Sequence, residues 1–304
     1  VINSGLYTLN SNYAANFARD NKGVPETIFA IPYDHVHETG NNINMMTLNG
    51  QNQNTYNMNA QPWNGFASVQ EFYASYIDTV ANPGPVGKVI GTDPAGDSVR
   101  GTLDKRLTNF LVGPQFGADG KRLLDNGFEP SGPGYAGDPD GAPITFTPYV
   151  NELQPTAWRQ SGARISKWGF YHGMTSNLDN DFALFRYADV LLMAAEASAR
   201  KNNNWSDPYA LTIVNQIRTV HGGVSPYTSM TATSFLAERG REMFFEGWRR
   251  QDLIRFGLYN NAWRFHPADP ADNLGPHGIN HLNIMPLPDA QLNANQALKQ
   301  NPGY

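Results

Sequence analysis

Residues 235–257, FLAERGREMFFEGWRRQDLIRFG, constrain the fold more than any other stretch, because charges recur there at helical spacing among large apolar side chains. Glu238 and Arg241 are three apart, as are Arg239 and Glu242, so both pairs can meet on one helix surface. Phe235, Leu236, Met243, Phe244, Phe245 and Trp248 crowd around them, which carries some of these charges into a protein interface. An ion pair taken out of water fixes geometry more than it stabilises. The spacing therefore predicts structural ion pairs at Glu238, Arg239, Arg241 and Glu242. Glu238, Glu242 and Glu246 also align every four residues, as acid–base carboxylates could, but an arginine within reach of each holds it ionised and unreactive. No catalytic residue is assigned.

Two further blocks are helical in pattern. Residues 182–200, FALFRYADVLLMAAEASAR, are apolar on nearly every side, the mark of a buried helix. Alanines at 188, 194, 195, 197 and 199 permit close packing, Arg186 is in reach of Asp189, and Glu196 precedes Arg200 in the favourable i, i+4 order. Asp207 and Pro208 supply an N-cap and first-turn proline to a helix whose face is Ala210, Ile213, Val214, Ile217 and Val220, with Gly222 ending it. Helices at 185–201 and 208–221 make a hairpin close to the tetratricopeptide unit of about 34 residues. One such unit cannot bury its own faces, so it must pack on other helices. The chain closes on LPDAQLNANQALKQNPGY, a short helix after Pro288 and a polar tail.

Taken together, RYADVLLMAAEA, ERGREMFFEGWRRQDLIRFG and MPLPDAQLNANQALKQNPGY resemble the C-terminal half of the SusD/RagB family, with weaker similarity upstream in IFAIPYD, PWNGF, DKRL and GARISKW. The three blocks span residues 182–304, departing chiefly at Met285 and Leu287 in a segment usually Phe-Pro-Ile-Pro-like. The resemblance implies a surface nutrient-binding lipoprotein of the outer membrane, which passes oligosaccharides to a SusC-like TonB-dependent transporter without catalysis. It also implies a longer parent, with a lipoprotein signal, an anchoring Cys and further helices upstream of Val1. The fold expected is mostly α with long ordered loops and few short strands, its tetratricopeptide-like hairpins packed against a loop-rich ligand-binding region.

Composition is consistent with this. Lys and Arg total 22 against 27 Asp and Glu, a net charge of -5, so there is no basic footprint for nucleic acid. No apolar run approaches the ~20 residues that cross a bilayer, and the lipid anchor that the resemblance implies lies upstream. With no Cys, disulfides and thiolate chemistry are excluded. Residues 1–180 are rich in Gly, Pro and Asn, with short strands at 26–31 and 144–149 and one helix, SVQEFYASYID. Ser68 and Glu71 have capping-box spacing there, and Val69, Phe72, Tyr73 and Tyr76 form its apolar face. Residues 181–304 are the helical region, and both belong to one integrated domain.

A glycan offers apolar CH faces and a rim of hydroxyls, so its binder needs exposed rings beside amides and guanidinium groups. The densest such stretch is QNQNTYNMNAQPWNGF, which nominates Tyr56, Trp63 and Asn64 as ligand-binding residues; Trp158, next to Arg159 and Gln160, is a second candidate. Tyr135 in the SGPGYAGDPDG loop is a further ring, while Trp168 is expected to pack against the 182–200 helix. His35, His37 and Glu38 offer a ligand pair without an identifiable third partner. Asp138 and Asp140 between Gly137 and Gly141 lack the distal Glu of a calcium loop and read as a polar turn. No metal or cofactor is assigned. The same scaffold could bind peptides instead, and a glycoside hydrolase would need two carboxylates roughly 5–9.5 Å apart in one cleft.

Overall fold

A computed structural model describes residues 1–78, 89–92, 98–100, 102–125, 141–153, 157–268 and 280–304, which fall into two compact units, Val1–Glu246 and Gly247–Tyr304. Tyr135, Gly137, Asp138 and Asp140 lie outside the described residues. The architecture is helix-dominated with few short strands. In the first unit, α1 (Ile43–Thr47), α2 (Asn52–Tyr56) and α3 (Gln70–Ala74) are single turns in a loop-rich region. The longer helices follow: α4 (Tyr187–Lys201), α5 (Pro208–Ile217) and α6 (Ala232–Glu242).

Residues 182–186 are strand rather than helix. Phe182–Arg186 pairs antiparallel with Thr27–Ile31, setting Ala30 opposite Ala183 and Ile31 opposite Phe182. The aromatic residues at 182 and 185 suit a pleated, half-buried surface, and α4 starts only at Tyr187. A second small sheet orders Ala67–Ser68, Ala163–Ile165 and Phe110–Leu111 antiparallel, with 163–165 central. Ser68 sits in that ladder opposite Ala163, so its hydroxyl caps nothing and Val69 occupies the N-cap of α3. The apolar face of α3 is as expected: Phe72, Tyr73 and Tyr76 pack on Phe110 and Ala163.

The α4–α5 hairpin forms. Ala188, Leu192, Ala195 and Ala199 are fully buried on α4, as are Ala210, Val214 and Ile217 on α5, and the small side chains let the backbones approach. Asp207 caps α5 through the Ala210 amide at 3.2 Å and also accepts from Ser198 at 2.8 Å and Asn202 at 2.7 Å. The expected stop at Gly222 lies one residue early: Arg218–Gly222 continue as a wider π turn, and Gly223, at φ 62°, reverses the chain. Glu196 and Arg200 pair at 2.8 Å.

Tyr13, Phe17, Met45, Leu48, Met58, Trp168, Met174 and Leu178 form a core under the loops. Trp168 stacks on Phe182 with centroids 4.7 Å apart and meets Phe17 edge-on at 5.1 Å. It packs on a strand and an N-terminal segment, because 182 is strand and not helix. The second unit carries α7 (Arg249–Arg255) and α8 (Asp289–Ala294), and its polar tail is pinned. Gln300 exchanges hydrogen bonds of 2.8 and 2.9 Å with the Leu287 backbone, and the Tyr304 hydroxyl donates to Ile284 O at 3.0 Å. Among the described residues no helix is long and apolar enough to cross a membrane.

Candidate functional site

The charges of α6 build an ionic core. Arg106, fully buried, reaches Asp104 at 2.6 Å, Glu238 at 2.7 Å and Glu242 at 3.0 Å. Arg186, equally buried, bonds Glu26, Glu242 at 3.1 Å and Glu246 at 2.7 Å. Arg241 and Arg218 converge on Glu238 at 2.6 and 2.7 Å, so the Glu238–Arg241 pair read from spacing is present. The other pairings change partners. Arg239 meets Asp189 of α4 at 2.8 Å, while Arg186, expected at Asp189, is drawn inward by three glutamates, one of them Glu242. Burial works to raise the Glu238 carboxyl, but Arg106, Arg241 and Arg218 outweigh it and hold it down at about 2. Lys167 and Arg186 also donate to the Glu242 carbonyl, at 2.9 and 3.2 Å, placing cations where the dipole of α6 ends. Glu238 and Glu242 are wholly buried and Glu246 is 5% exposed, so no substrate reaches them for acid–base work.

Sequence spacing missed Glu26, Arg106, Lys167, Arg218 and His221 as members of this core. Their only local signal was charge inside otherwise apolar or β-branched runs. Glu26, His221 and Glu242 form a metal-ligand-like cluster, with the imidazole nitrogens 3.1 Å from Glu26 and 3.0 Å from Glu242. Burial opposes charge on His221, yet Glu242 and Glu26 raise it to about 9, so an imidazolium bonds Glu242 through Nδ1 while its Nε2 lies within ion-pair range of Glu26. With Arg186 paired to both carboxylates and the imidazole bonded to Glu242, the cluster is part of the same buried ion network. His35 and His37 are held apart by different acids, Asp179 at 2.6 Å and Asp34 at 3.6 Å.

The ligand candidates lie on a separate, loop-built face. The segment after α2 folds back on α1: the amides of Trp63, Asn64 and Phe66 donate to Met45, Leu48 and Met46 carbonyls at 2.7, 2.9 and 2.6 Å. A Cβ at Gly65 would stand 2.5 Å from Met46 O, so the close approach requires glycine, and Asn64 takes the left-handed turn at φ 55°. This anchoring leaves the Trp63 side chain 60% exposed. Tyr56 is placed differently: it is half-buried, edge-on to Phe170 at 5.7 Å, and burial lifts its phenol to about 12. It is a wall of the core rather than an open ring.

One hollow opens beside Trp63, and a second shares Gln51 with it. The smaller, about 120 Å³, is lined by Gln51, Gln61, Pro62, Asn64 and the Asp125–Arg159 pair, which is 3.2 Å apart. The larger, about 440 Å³, is lined by Gln51, Asn54 and residues of the 117–124 hairpin. Thr55 Oγ1 donating to Phe116 O at 2.8 Å and the Ala118 amide donating to Asn54 O at 3.0 Å fasten that hairpin to α2. Gln51 is common to both hollows. Trp158, 37% exposed, is next in sequence to Arg159, so the loops carrying Trp63 and Trp158 meet at the smaller hollow.

A family model described as the SusD family matches residues 25–304. The starch-binding protein SusD of Bacteroides thetaiotaomicron is 26% identical over 242 residues, covering 78% of this chain and 40% of that protein. Surface glycan-binding protein A of the same organism, also solved in complex with laminarihexaose, shares the fold at a TM-score of 0.63 and 20% identity, over 99% of this chain and 57% of that one. A SusD superfamily protein from Parabacteroides distasonis aligns over 100% of this chain and 55% of its own, with a TM-score of 0.59 at 18% identity. The chain thus spans about half the length of its solved relatives and less than half of the starch-binding one. With the model matching from the first long strand to the last residue, the chain belongs to the SusD family.

Proposed function

We propose that this chain is a non-catalytic, cell-surface glycan-binding protein that captures oligosaccharides and hands them to a SusC-like TonB-dependent transporter, held at the outer membrane by a lipid anchor upstream. In this reading the loop-rich residues 1–180 supply the ligand surface and residues 181–304 the scaffold. One observation carries it: an exposed Trp63 on a rigidly anchored loop, beside a hollow lined by Gln51, Gln61 and Asn64. A flat ring and flanking amides are what a sugar's CH face and hydroxyls require. The names of two relatives, a starch binder and a glycan binder crystallised with laminarihexaose, support the same ligand class.

Titration calorimetry with maltohexaose and laminarihexaose tests the reading, with reducing ends assayed on the same mixtures. Binding without release of reducing ends is expected. Trp63→Ala should weaken it by about 1–3 kcal/mol, the hot-spot range, at an unchanged melting temperature. Affinity for peptides in place of glycans, or turnover abolished by one Glu→Gln change, would replace the reading.

A further inference from the structure

The larger hollow contains a cation, Arg122, with no acidic partner among the described residues. Arg122 is held three ways: its Nη2 donates to Ile144 O and to Thr145 Oγ1, both at 2.9 Å, and its guanidinium lies 5.3 Å from the Phe116 ring centre. Among the described residues no carboxylate pairs with it. Its neighbours differ, since Lys121 lies 3.4 Å from Asp119 and Arg159 lies 3.2 Å from Asp125. Asp119 is engaged further by the Lys121 amide at 3.0 Å. Among the described residues, the lining therefore sets Lys121 and Arg122 against Asp119, a positive surplus in a chain whose net charge is -5.

The hydroxyls of a neutral sugar are satisfied by amides, and Gln51 and Asn54 already supply those. With Nη2 committed to Ile144 and Thr145, the guanidinium still offers Nη1 and a fixed positive charge, which a carboxylate or sulfate oxygen accepts as a charge-assisted hydrogen bond. Because Arg122 is braced by two acceptors and a ring, little side-chain freedom remains to be lost when a ligand binds. The hairpin that presents it is closed by the Gly117 amide donating to Lys121 O at 2.9 Å, and a volume of about 440 Å³ suits a sugar residue with its substituent.

We propose that this hollow is an anionic subsite, in which Arg122 takes the carboxylate or sulfate ester of an acidic glycan while Gln51 and Asn54 bond adjacent hydroxyls. The inference rests on the glycan-binding reading above and deepens it to a charge class. Two matched pairs test it by calorimetry: tetragalacturonate against its methyl ester, and a sulfated carrageenan tetrasaccharide against its desulfated form. The acidic member of at least one pair should bind about tenfold tighter, with a preference that shrinks as salt is added. The pair that discriminates tells carboxylate from sulfate. In Arg122→Gln the preference should vanish, and in Arg122→Lys, which keeps charge without the braced guanidinium, it should fall part way. Binding of neutral and acidic members alike by the unmodified protein would remove the anionic subsite and leave glycan binding standing, whereas binding of none, maltohexaose and laminarihexaose included, overturns both. A preference that survives in folded Arg122→Gln also overturns it. Should that variant not fold, the salt dependence and Arg122→Lys decide.

Discussion

Arg106 and Arg241 both bond Glu238, but they leave different debts when removed. Arg106 is wholly buried and serves Asp104, Glu238 and Glu242, so its loss strands carboxylates in the interior. Arg241 is bonded to Glu238, the Ser75 carbonyl and the Tyr227 hydroxyl, and Glu238 retains Arg106 and Arg218 without it. Removing one partner of a buried pair costs about 3–5 kcal/mol when the other is left unpaired. Arg106→Ala should reach that range and Arg241→Ala should stay near about 1–3 kcal/mol, the cost of lost charged hydrogen bonds. Urea unfolding of both variants checks the order, and equal losses would mean that Glu238 does not share its partners. At this scale the sequence made Glu238–Arg241 legible, since three residues along a helix are neighbours. Arg239 finds Asp189 at a separation of 50 residues, which no local spacing encodes.

Among the elements, the helical hairpin was readable and the strand before it was not. The apolar positions of α4 and α5 recur with helical period, and Asp207-Pro208 marks a start. Residues 182–186 form an apolar run too short to tell strand from helix by period, and their partner is the distant Thr27–Ile31. The two caps separate in the same way. Asp207 accepts from the Ala210 amide and also binds Ser198 and Asn202 at the end of α4, so Asp207→Ala should cost about 1–2 kcal/mol, toward the upper end for a cap. Ser68 lies in a strand and caps no helix, so Ser68→Ala should leave the melting temperature nearly unchanged. A comparable loss in both variants would restore the capping box that the spacing suggested.

Over the whole molecule, the ligand face and the ionic core are built from different materials and respond to different variables. The exposed ring at Trp63 was visible in its amide-rich surroundings, but the larger hollow was not, because its far wall is joined to α2 by a bond such as Thr55 to Phe116, 61 residues apart. The ionic core, by contrast, gives the first unit a pH profile that can be worked out in sign. Arg106, Arg241 and Arg218 overcome burial to hold Glu238 at about 2, below its ordinary 4.5, so its contribution is full above about pH 4.5 and is lost as pH falls through 2. Glu26 and Glu242 are lowered too, Glu242 strongly, and add in the same direction. His221 behaves oppositely: burial disfavours its charge, but Glu242 and Glu26 raise it from 6.5 to about 9, so its contribution is full below pH 6.5 and lost as pH rises through 9. That shift corresponds to about 3 kcal/mol. Burial lowers Lys167 to about 8, which favours the folded state as pH climbs beyond 8 and masks part of the loss there. The stability of Val1–Glu246 should therefore hold a plateau from about pH 4.5 to 6.5 and decline between 6.5 and 8, where the unfolded chain releases the proton that folded His221 keeps. Thermal melts followed by tryptophan fluorescence, with buried Trp168 as reporter, should show that decline in the unmodified protein and its absence in His221→Gln. Added salt should move the decline little, since buried pairs are weakly screened. An unchanged slope in a folded His221→Gln would show that the imidazole is not the group that titrates, and that the pairing of Glu26 with Glu242 is carried by Arg186 alone.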